Sequence, residues 1–357
     1  MESLRQLKYY FLLAICTLSL LSSCDHDSDI DPIKPLEKRT VMLLRENGEI
    51  YNFDGELIKT LPDCHAVTQI IVDGEDYFVS GVSTKDRVGY WKNGKWNTLH
   101  VDFIDDVDHW AFGIGKWDYY IFLLDYPNVL KNSGIFRLNE SENFTPAHHG
   151  IAVSEGKCYV VGAEVSNYSD GLKFYPILYT EHKGLYEKEK LPFPDGADTG
   201  EAIAIHAYDK NHFIAGGYAG REPIIWIDRQ AHVLPRSVDC YEDDGQTFPL
   251  GLVQSIVRCN GHIYSGGLEY IDEAGEKCVP TIWCDDEPQQ FVIGAEKEGY
   301  FSGRVVEMIA YGDDLYTLTQ ELYDNPDGTL ASTSILWLNG KLLKVYEGLM
   351  AISFAIF

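Results

Sequence analysis

Two adjacent histidines, His148 and His149, are the residues most able to do chemistry in this chain. A metal would need further ligands beside them. None stands at ligand spacing, so a solvated or capping pair is the simpler reading. Asp102, Asp105, Asp106 and Asp108 make an oxygen-rich run of the sort a hard cation takes, although a solvated acidic loop explains it equally simply. Calcium is the one cofactor the sequence leaves room for. Elsewhere, aromatic side chains stand beside carboxylates and an occasional arginine. The candidate ligand-binding set is His109, Trp110, His149, Glu201, Tyr218, Arg221, Tyr270, Tyr300 and Arg304. Such a mixture suits a carbohydrate or peptide ligand. No Ser-His-Asp order, phosphate loop or spaced carboxylate pair stands out, so no catalytic residue is named.

Beyond the N-terminal region the cysteines are Cys64, Cys158, Cys240, Cys259, Cys278 and Cys284. There is no Cys-x-x-Cys and no tight Cys/His cluster, so a zinc site is not expected. Cys278 with Cys284 and Cys240 with Cys259 are the nearest pairs, and connectivity stays open. Asp243-Asp-Gly-Gln-Thr-Phe248 resembles the Asp-box, Ser-x-Asp-x-Gly-x-Thr-Trp, of sialidase-type propellers. Tyr241 stands for its Ser and Phe248 for its Trp, and the segment falls between repeats, so it reads as a turn.

The start of the chain sets its destination. Arg5 and Lys8 precede an apolar run, Tyr9 to Leu21, that is shorter than the roughly 20 residues a spanning helix needs. Leu21-Ser22-Ser23-Cys24 resembles a lipoprotein lipobox, which implies cleavage before Cys24 and lipidation of that cysteine. Residues 1–23 are then a signal, and 24–39 an acidic, proline-bearing tether. Asp25 to Asp31 is similar to the acidic export tag of Bacteroidetes surface lipoproteins. The expected location is the outer membrane, on the cell surface or facing the periplasm. The formal net charge is -26; without residues 1–23 the chain has 27 Lys+Arg and 54 Asp+Glu, or -27. A surface of that sign repels nucleic acid and anionic lipid head groups.

These residues need a scaffold, and a repeat supplies one. An apolar strand, a tight turn, a second strand with Gly, a third strand with an aromatic, a turn and a fourth strand recur from residue 68 onward. The clearest copy runs from Thr68 to Leu99. Gly81, Gly162, Gly216 and Gly266 end the second strand of their copies, the step from 81 to 162 spanning two units, and a weaker copy runs from Trp110 to Leu138. Four short strands in roughly 40–50 residues is the period of a propeller blade. Six copies are complete. The apolar run Met350–Phe357 reads as the missing first strand of a seventh copy begun by residues 40–61. The expected fold is therefore all-β, a seven-bladed β-propeller of four-stranded antiparallel blades over 40–357, closed by N- and C-terminal strands.

Tyr90-Trp91-Lys92-Asn93-Gly94-Lys95 resembles the "YWKNG" repeat of uncharacterised Bacteroidetes surface lipoproteins, echoed by Trp337-Leu338-Asn339-Gly340-Lys341. The resemblance implies a propeller and surface export but supplies no activity. Connections between second and third strands (164–175, 269–279, 320–334) and between copies (192–200, 235–252, 294–305) read as long loops on one rim, where a rigid scaffold usually carries binding. The expected function is an exported, lipid-anchored, noncatalytic protein that binds glycan or peptide there. A glycan-active hydrolase or lyase on the same face is the first alternative. A structural or partner-binding module of an envelope complex is the second.

Overall fold

The computed structural model describes residues 40–357 apart from 86, 99–110, 119, 126–127, 133, 139–142, 169–170, 238–248, 272–276, 292–298 and 326. The described chain is all-β, and none of it is helical. It begins with β1 (Val41–Arg45), β2 (Glu49–Asn52) and β3 (Leu57–Thr60). Strands then arrive in fours. The first two sets are β4 (Cys64–Asp73), β5 (Asp76–Ser83), β6 (Val88–Lys92), β7 (Lys95–Thr98) and β8 (Ala111–Trp117), β9 (Tyr120–Asp125), β10 (Asn128–Lys131), β11 (Gly134–Arg137). Next come β12 (Phe144–Ser154), β13 (Lys157–Tyr168), β14 (Gly171–His182), β15 (Leu185–Lys190) and β16 (Gly200–Ala207), β17 (Phe213–Ala219), β18 (Glu222–Ile227), β19 (Gln230–Val233). The last sets are β20 (Gly251–Cys259), β21 (His262–Tyr270), β22 (Cys278–Cys284), β23 (Glu287–Gln290) and β24 (Tyr300–Tyr311), β25 (Asp314–Asp324), β26 (Leu330–Leu338), β27 (Lys341–Glu347), before a lone β28 (Ala351–Ile356).

Each set is an antiparallel meander, and β28-β1-β2-β3 makes another. One parallel bridge, Cys278 to Ser302, joins the meanders β20–β23 and β24–β27 into a single sheet. The pairing expected of the C-terminal apolar run is present: Val41 faces Ile356 and Leu43 faces Phe354. Leu43, Ala351 and Phe354 are fully buried there.

A tryptophan holds neighbouring units together. Trp91, Trp226 and Trp283 sit on third strands, fully buried. Their indole N–H groups donate to the carbonyls of Pro62 (3.0 Å), Pro192 (2.7 Å) and Pro235 (2.7 Å). Each proline follows a buried leucine, Leu61, Leu191 or Leu234, just after the fourth strand of the preceding unit. Proline has no N–H for a ladder and ends the strand, and its carbonyl satisfies the indole the next unit buries. In the unit β24–β27, Phe291 packs edge-on against Trp337 instead, with ring centroids 5.3 Å apart.

First strands carry a one-residue bulge in the same place, seen as register shifts at Val67/Gln69, Ala111/Gly113, Ala202/Ala204, Val253/Ser255 and Val305/Glu307. The bulge pushes a carbonyl at the second strand, and glycine clears it at Gly81, Gly217 and Gly267, while Asp125 and Thr319 hold that register in the other two. A Cβ on Gly81 would lie 2.2 Å from the Ala66 carbonyl oxygen, and on Gly217 or Gly267 1.8 Å from that of Glu201 or Leu252. The repeating glycine is thus Gly217 and Gly267 rather than Gly216 and Gly266. The latter face the next unit, Gly216 against Val253 and Gly266 against Val305. The second strand also continues past this glycine instead of ending on it.

Residues just after the bulge stitch first strands together. Ser255 Oγ accepts the Met308 N–H (2.9 Å), Glu307 Oε2 that of Phe354 (3.0 Å), Ser353 Oγ that of Ile70 (3.2 Å), and Gln69 Oε1 that of Ile114 (3.1 Å). Glu307 also accepts from the Ser353 hydroxyl (2.6 Å) and the Gln69 amide (3.4 Å). Three donors compensate this buried carboxylate. Neighbouring first strands touch: β4 on β8, β8 on β12, β12 on β16, β16 on β20, β20 on β24, β24 on β28, and β28 on β4.

Several segments read as long second-to-third loops are strand. β13 pairs with β14 from Tyr159/Thr180 to Tyr168/Gly171, and β25 with β26 as far as Asp324/Leu330. Backbone groups that a loop would leave to water are satisfied by a projecting ladder. Length survives in the connections between units, at 191–199, 234–250 and 291–299.

Candidate functional site

Connections between units and second-to-third turns emerge at the same end of an antiparallel meander, so both belong to one rim. First strands enter the fold from that rim. Of the expected ligand residues, His149 lies in β12, Glu201 in β16, Tyr218 in β17, Tyr270 in β21, and Tyr300 and Arg304 in β24. Placing them on loops is corrected for these six; Arg221 occupies a two-residue turn with Gly220. Tyr218, Tyr270 and Tyr300 are buried, the first two in one cluster with Leu252, Leu268 and Cys278, the third edge-on to Tyr323 at 5.3 Å. Their rings brace the rim from within. His109, Trp110, Cys24, the aspartates 102–108 and the segment 243–248 lie outside the described residues.

His149 takes a left-handed backbone (φ 59°), uncommon for a residue with a Cβ, inside an interruption of the β12–β13 ladder between Pro146 and Ile151. Its Nε2 lies 2.9 Å from the carbonyl oxygen of Thr68 on β4. To get there it passes β8 at Gly113, where a Cβ would come within 3.4 Å of the His149 Cα. His149 is therefore a strut between β12 and β4. His148 is exposed to solvent. Desolvation, then His149 and Arg304, push its imidazole down to about 4, so it is neutral at pH 7. Its ring lies 5.5 Å from that of Phe112.

Arg304 shares this environment. Its Nε donates to Gln320 Oε1 (3.2 Å), the residue opposite it in the β24–β25 register. Among the described residues it forms no ion pair. Burial pulls its guanidinium below the ordinary value, and no carboxylate among the described residues compensates it, in a chain of net charge -26. Gln320 Nε2, Gln254 Oε1 and the Tyr300 hydroxyl are buried without hydrogen-bond partners among the described residues. Nearby polar groups are, by contrast, saturated: Glu269 binds the Ser237 N–H (2.8 Å) and Thr281 hydroxyl (3.0 Å), and Tyr323 donates to Glu321.

Glu201, opposite Tyr218 in the β16–β17 register, is half-buried. Burial pushes its carboxyl up to about 7, against a downward pull from the Tyr218 hydrogen bond. A carboxyl in that range can hold or release a proton near neutrality. At the opposite end of the first strands, a cavity of about 330 Å³ opens among β4, β8, β12 and β16, with Asp73, Lys116 and His206 on its walls. His206 is pushed down to about 4 by burial and by Arg258.

His148 stands out with His149 in the sequence, whereas Gln254 and Gln320 are not among its candidates. The available signal was a polar residue at an otherwise apolar, inward position of a strand.

No family model matches the chain, and no curated protein does. Among solved structures, a subtype N11 neuraminidase-like protein of A/flat-faced bat/Peru (H18N11) aligns over 85% of this chain and 98% of its own at 13% identity, TM-score 0.46. Apo AztD from Citrobacter koseri aligns over 89% and 98% at 9% identity, TM-score 0.46. The GH43_1 enzyme from Xanthomonas citri, complexed with xylose, covers 74% and 89% at 11% identity, TM-score 0.33. With identities this low and TM-scores below 0.5, nothing further about this chain rests on them.

Proposed function

We propose that this chain is an outer-membrane lipoprotein, anchored through Cys24, whose long-connection rim binds the anionic group of an acidic glycan. The scaffold is a seven-bladed propeller. The contacts between neighbouring first strands and the β28–β1 pairing support that count. Its axis is then the channel that Arg304, His148 and Glu201 line.

One observation carries the binding reading: Arg304 is half-buried, held through Nε by Gln320, and paired with no carboxylate among the described residues. A buried charge without a partner lowers stability, and a ligand carboxylate would compensate it by a charge-assisted, two-pronged hydrogen bond. The neutral His148 and the Phe112 ring beside it offer a sugar a polar edge and an apolar face. Titrating the full chain with uronic-acid oligosaccharides, neutral oligosaccharides and acidic peptides tests this. Acidic oligosaccharides should bind. Arg304→Gln should lower their affinity at least tenfold while leaving the melting temperature equal or higher. Equal affinity in that variant, or binding by peptides alone, overturns the reading.

Glu201 favours a second reading, a glycan-active enzyme on the same rim, because its proton is retained to about pH 7 beside Tyr218. Turnover of a bound oligosaccharide that Glu201→Gln abolishes, with binding unchanged, would establish it.

A further inference from the structure

The rim opposite the glycan site repeats one construction. Where third strands turn into fourth strands, the first turn residue bonds twice to one residue of the second strand. Asn93 does so with Tyr77, Asn132 with Ile121, Asp228 with Phe213, Asp285 with Ile263 and Asn339 with Leu315. In two of these turns the asparagine amide also donates to an aspartate just before the bonded residue: Asn93 to Asp76 (2.6 Å) and Asn339 to Asp314 (2.8 Å). Two units depart from this, with histidine for that aspartate and aspartate for the asparagine. In β16–β19 His212 Nδ1 turns to Asp209 (2.7 Å) rather than to Asp228, whereas in β20–β23 His262 Nδ1 lies 2.8 Å from Asp285 Oδ2. A cysteine, Cys284, precedes this last turn, where Lys92, Ile227 and Leu338 stand in the corresponding turns. Turn geometry requires neither the imidazole nor the thiol, since Asp76/Asn93 and Asp314/Asn339 build the same turn without them.

We propose that His262, Cys284 and Asp285 form a binding site for a divalent transition-metal ion of the Zn²⁺ kind. One ligand atom from each lies within 4.8 Å of the other two. Imidazole nitrogen, thiolate sulfur and carboxylate oxygen select a borderline-soft ion over calcium or magnesium, and three protein ligands leave a tetrahedral ion one position for water. The ion takes the place of the proton His262 shares with Asp285, and the thiol proton of Cys284 goes to solvent on binding. Tyr264 stands directly across the ladder from Cys284. Cys284 is half-buried and free of any disulfide, and Asp286 and Glu287 follow the ligands directly in the chain. The ligands are brought together by the β21–β22 register, which is why no tight spacing in the sequence announces them. The site is independent of the glycan reading.

The test uses the full chain, reduced and stripped with chelator, titrated with Co²⁺ and then Zn²⁺. A saturable 1:1 Co²⁺ complex with a thiolate-to-metal charge-transfer band is expected, displaced by Zn²⁺. Cys284→Ser should abolish the band. The double variant His262→Asp with Asp285→Asn recreates the pair found at 76/93, so it should fold with an unchanged melting temperature and bind at least tenfold more weakly. Absence of saturable binding, a band that persists in Cys284→Ser, or unchanged affinity in the double variant overturns the proposal.

Discussion

The two rims are built by different logics. At the short-turn rim, interactions are local in sequence: Asn93 reaches back to Tyr77, and Asn339 to Leu315. Both Asn and Gly take left-handed backbone there (Asn93 φ 51°, Gly94 φ 80°; Asn339 φ 49°, Gly340 φ 76°), as a two-residue hairpin matching strand twist requires. At the long-connection rim the partners come from distant segments: Glu307 with Phe354, His149 with Thr68, Arg304 beside His148. The first rim spends the polar side chains of Asn93, Asn132, Asp228, Asp285 and Asn339 on its own turns. The second leaves Gln320 Nε2, Gln254 Oε1 and the Tyr300 hydroxyl unmatched among the described residues, and unmatched buried groups are what a ligand can satisfy. Breaking one rim should therefore cost stability in small, separable steps, whereas the other depends on the whole circuit of first strands.

The largest effect tests that circuit. Truncation after Gly348 removes β28, with Ala351, Phe354 and Ile356 from the core and Ser353 from between Glu307 and Ile70. Each large apolar side chain is worth about 1.5–3 kcal/mol when buried. Their joint loss approaches the roughly 5–15 kcal/mol that holds a domain together. The truncated protein should aggregate or show no cooperative thermal transition. Ser353→Ala, which only leaves the Ile70 N–H without its acceptor and takes a donor from Glu307, should cost about 1–3 kcal/mol. A soluble truncated chain that melts like the full one would show that the circuit does not close through β28.

How much of this was readable from residues alone follows the same division. Asn93-Gly94 and Asn339-Gly340 announce their turns, because few other residues tolerate that backbone. The apolar alternation of Met350–Phe357 announces a buried strand with no partner nearby in sequence. The Gly-Gly pairs at 216–217 and 266–267 were ambiguous, since both glycines are sterically required, one by its own unit's bulge and the other by the next unit. The Leu-Pro segments at 61–62, 191–192 and 234–235 carried a repeat that went unread, because their partners are tryptophans roughly a unit away. Arg304, Gln320 and Gln254 were opaque as a group. Their meaning lies in what does not face them, and only the assembled sheet shows that.

A smaller effect separates the rims by pH. The Glu201 carboxyl is raised from 4.5 to about 7 by burial. Its folded pKa lies above its unfolded value, so the associated stability is full below about pH 4.5 and is lost as pH rises through about 7. The shift bounds that loss at about 3 kcal/mol. Glu201→Gln keeps the shape and removes the ionisation. Its melting temperature should match the parent at pH 5 and exceed it at pH 8, a difference read by thermal unfolding at both. An equal offset at both pH values would mean that Glu201 is not confined as its geometry indicates.

The smallest effect belongs to the short-turn rim and should ignore pH over the same range. Asn339 contributes in two ways, by accepting the Leu315 N–H at 2.8 Å and by tolerating φ 49°. Asn339→Gly keeps the backbone conformation and removes the side-chain acceptor and the bond to Asp314, which is worth about 1 kcal/mol. Asn339→Ala removes the same bonds and also forces a Cβ into left-handed backbone, which adds about 1 kcal/mol. Denaturant midpoints should therefore fall in the order parent, Gly, Ala, with equal spacing at pH 5 and pH 8, since no group near that turn changes charge between them. If the glycine variant were the less stable of the two, the turn would owe its geometry to the strands around it, and the local reading of this rim would fail.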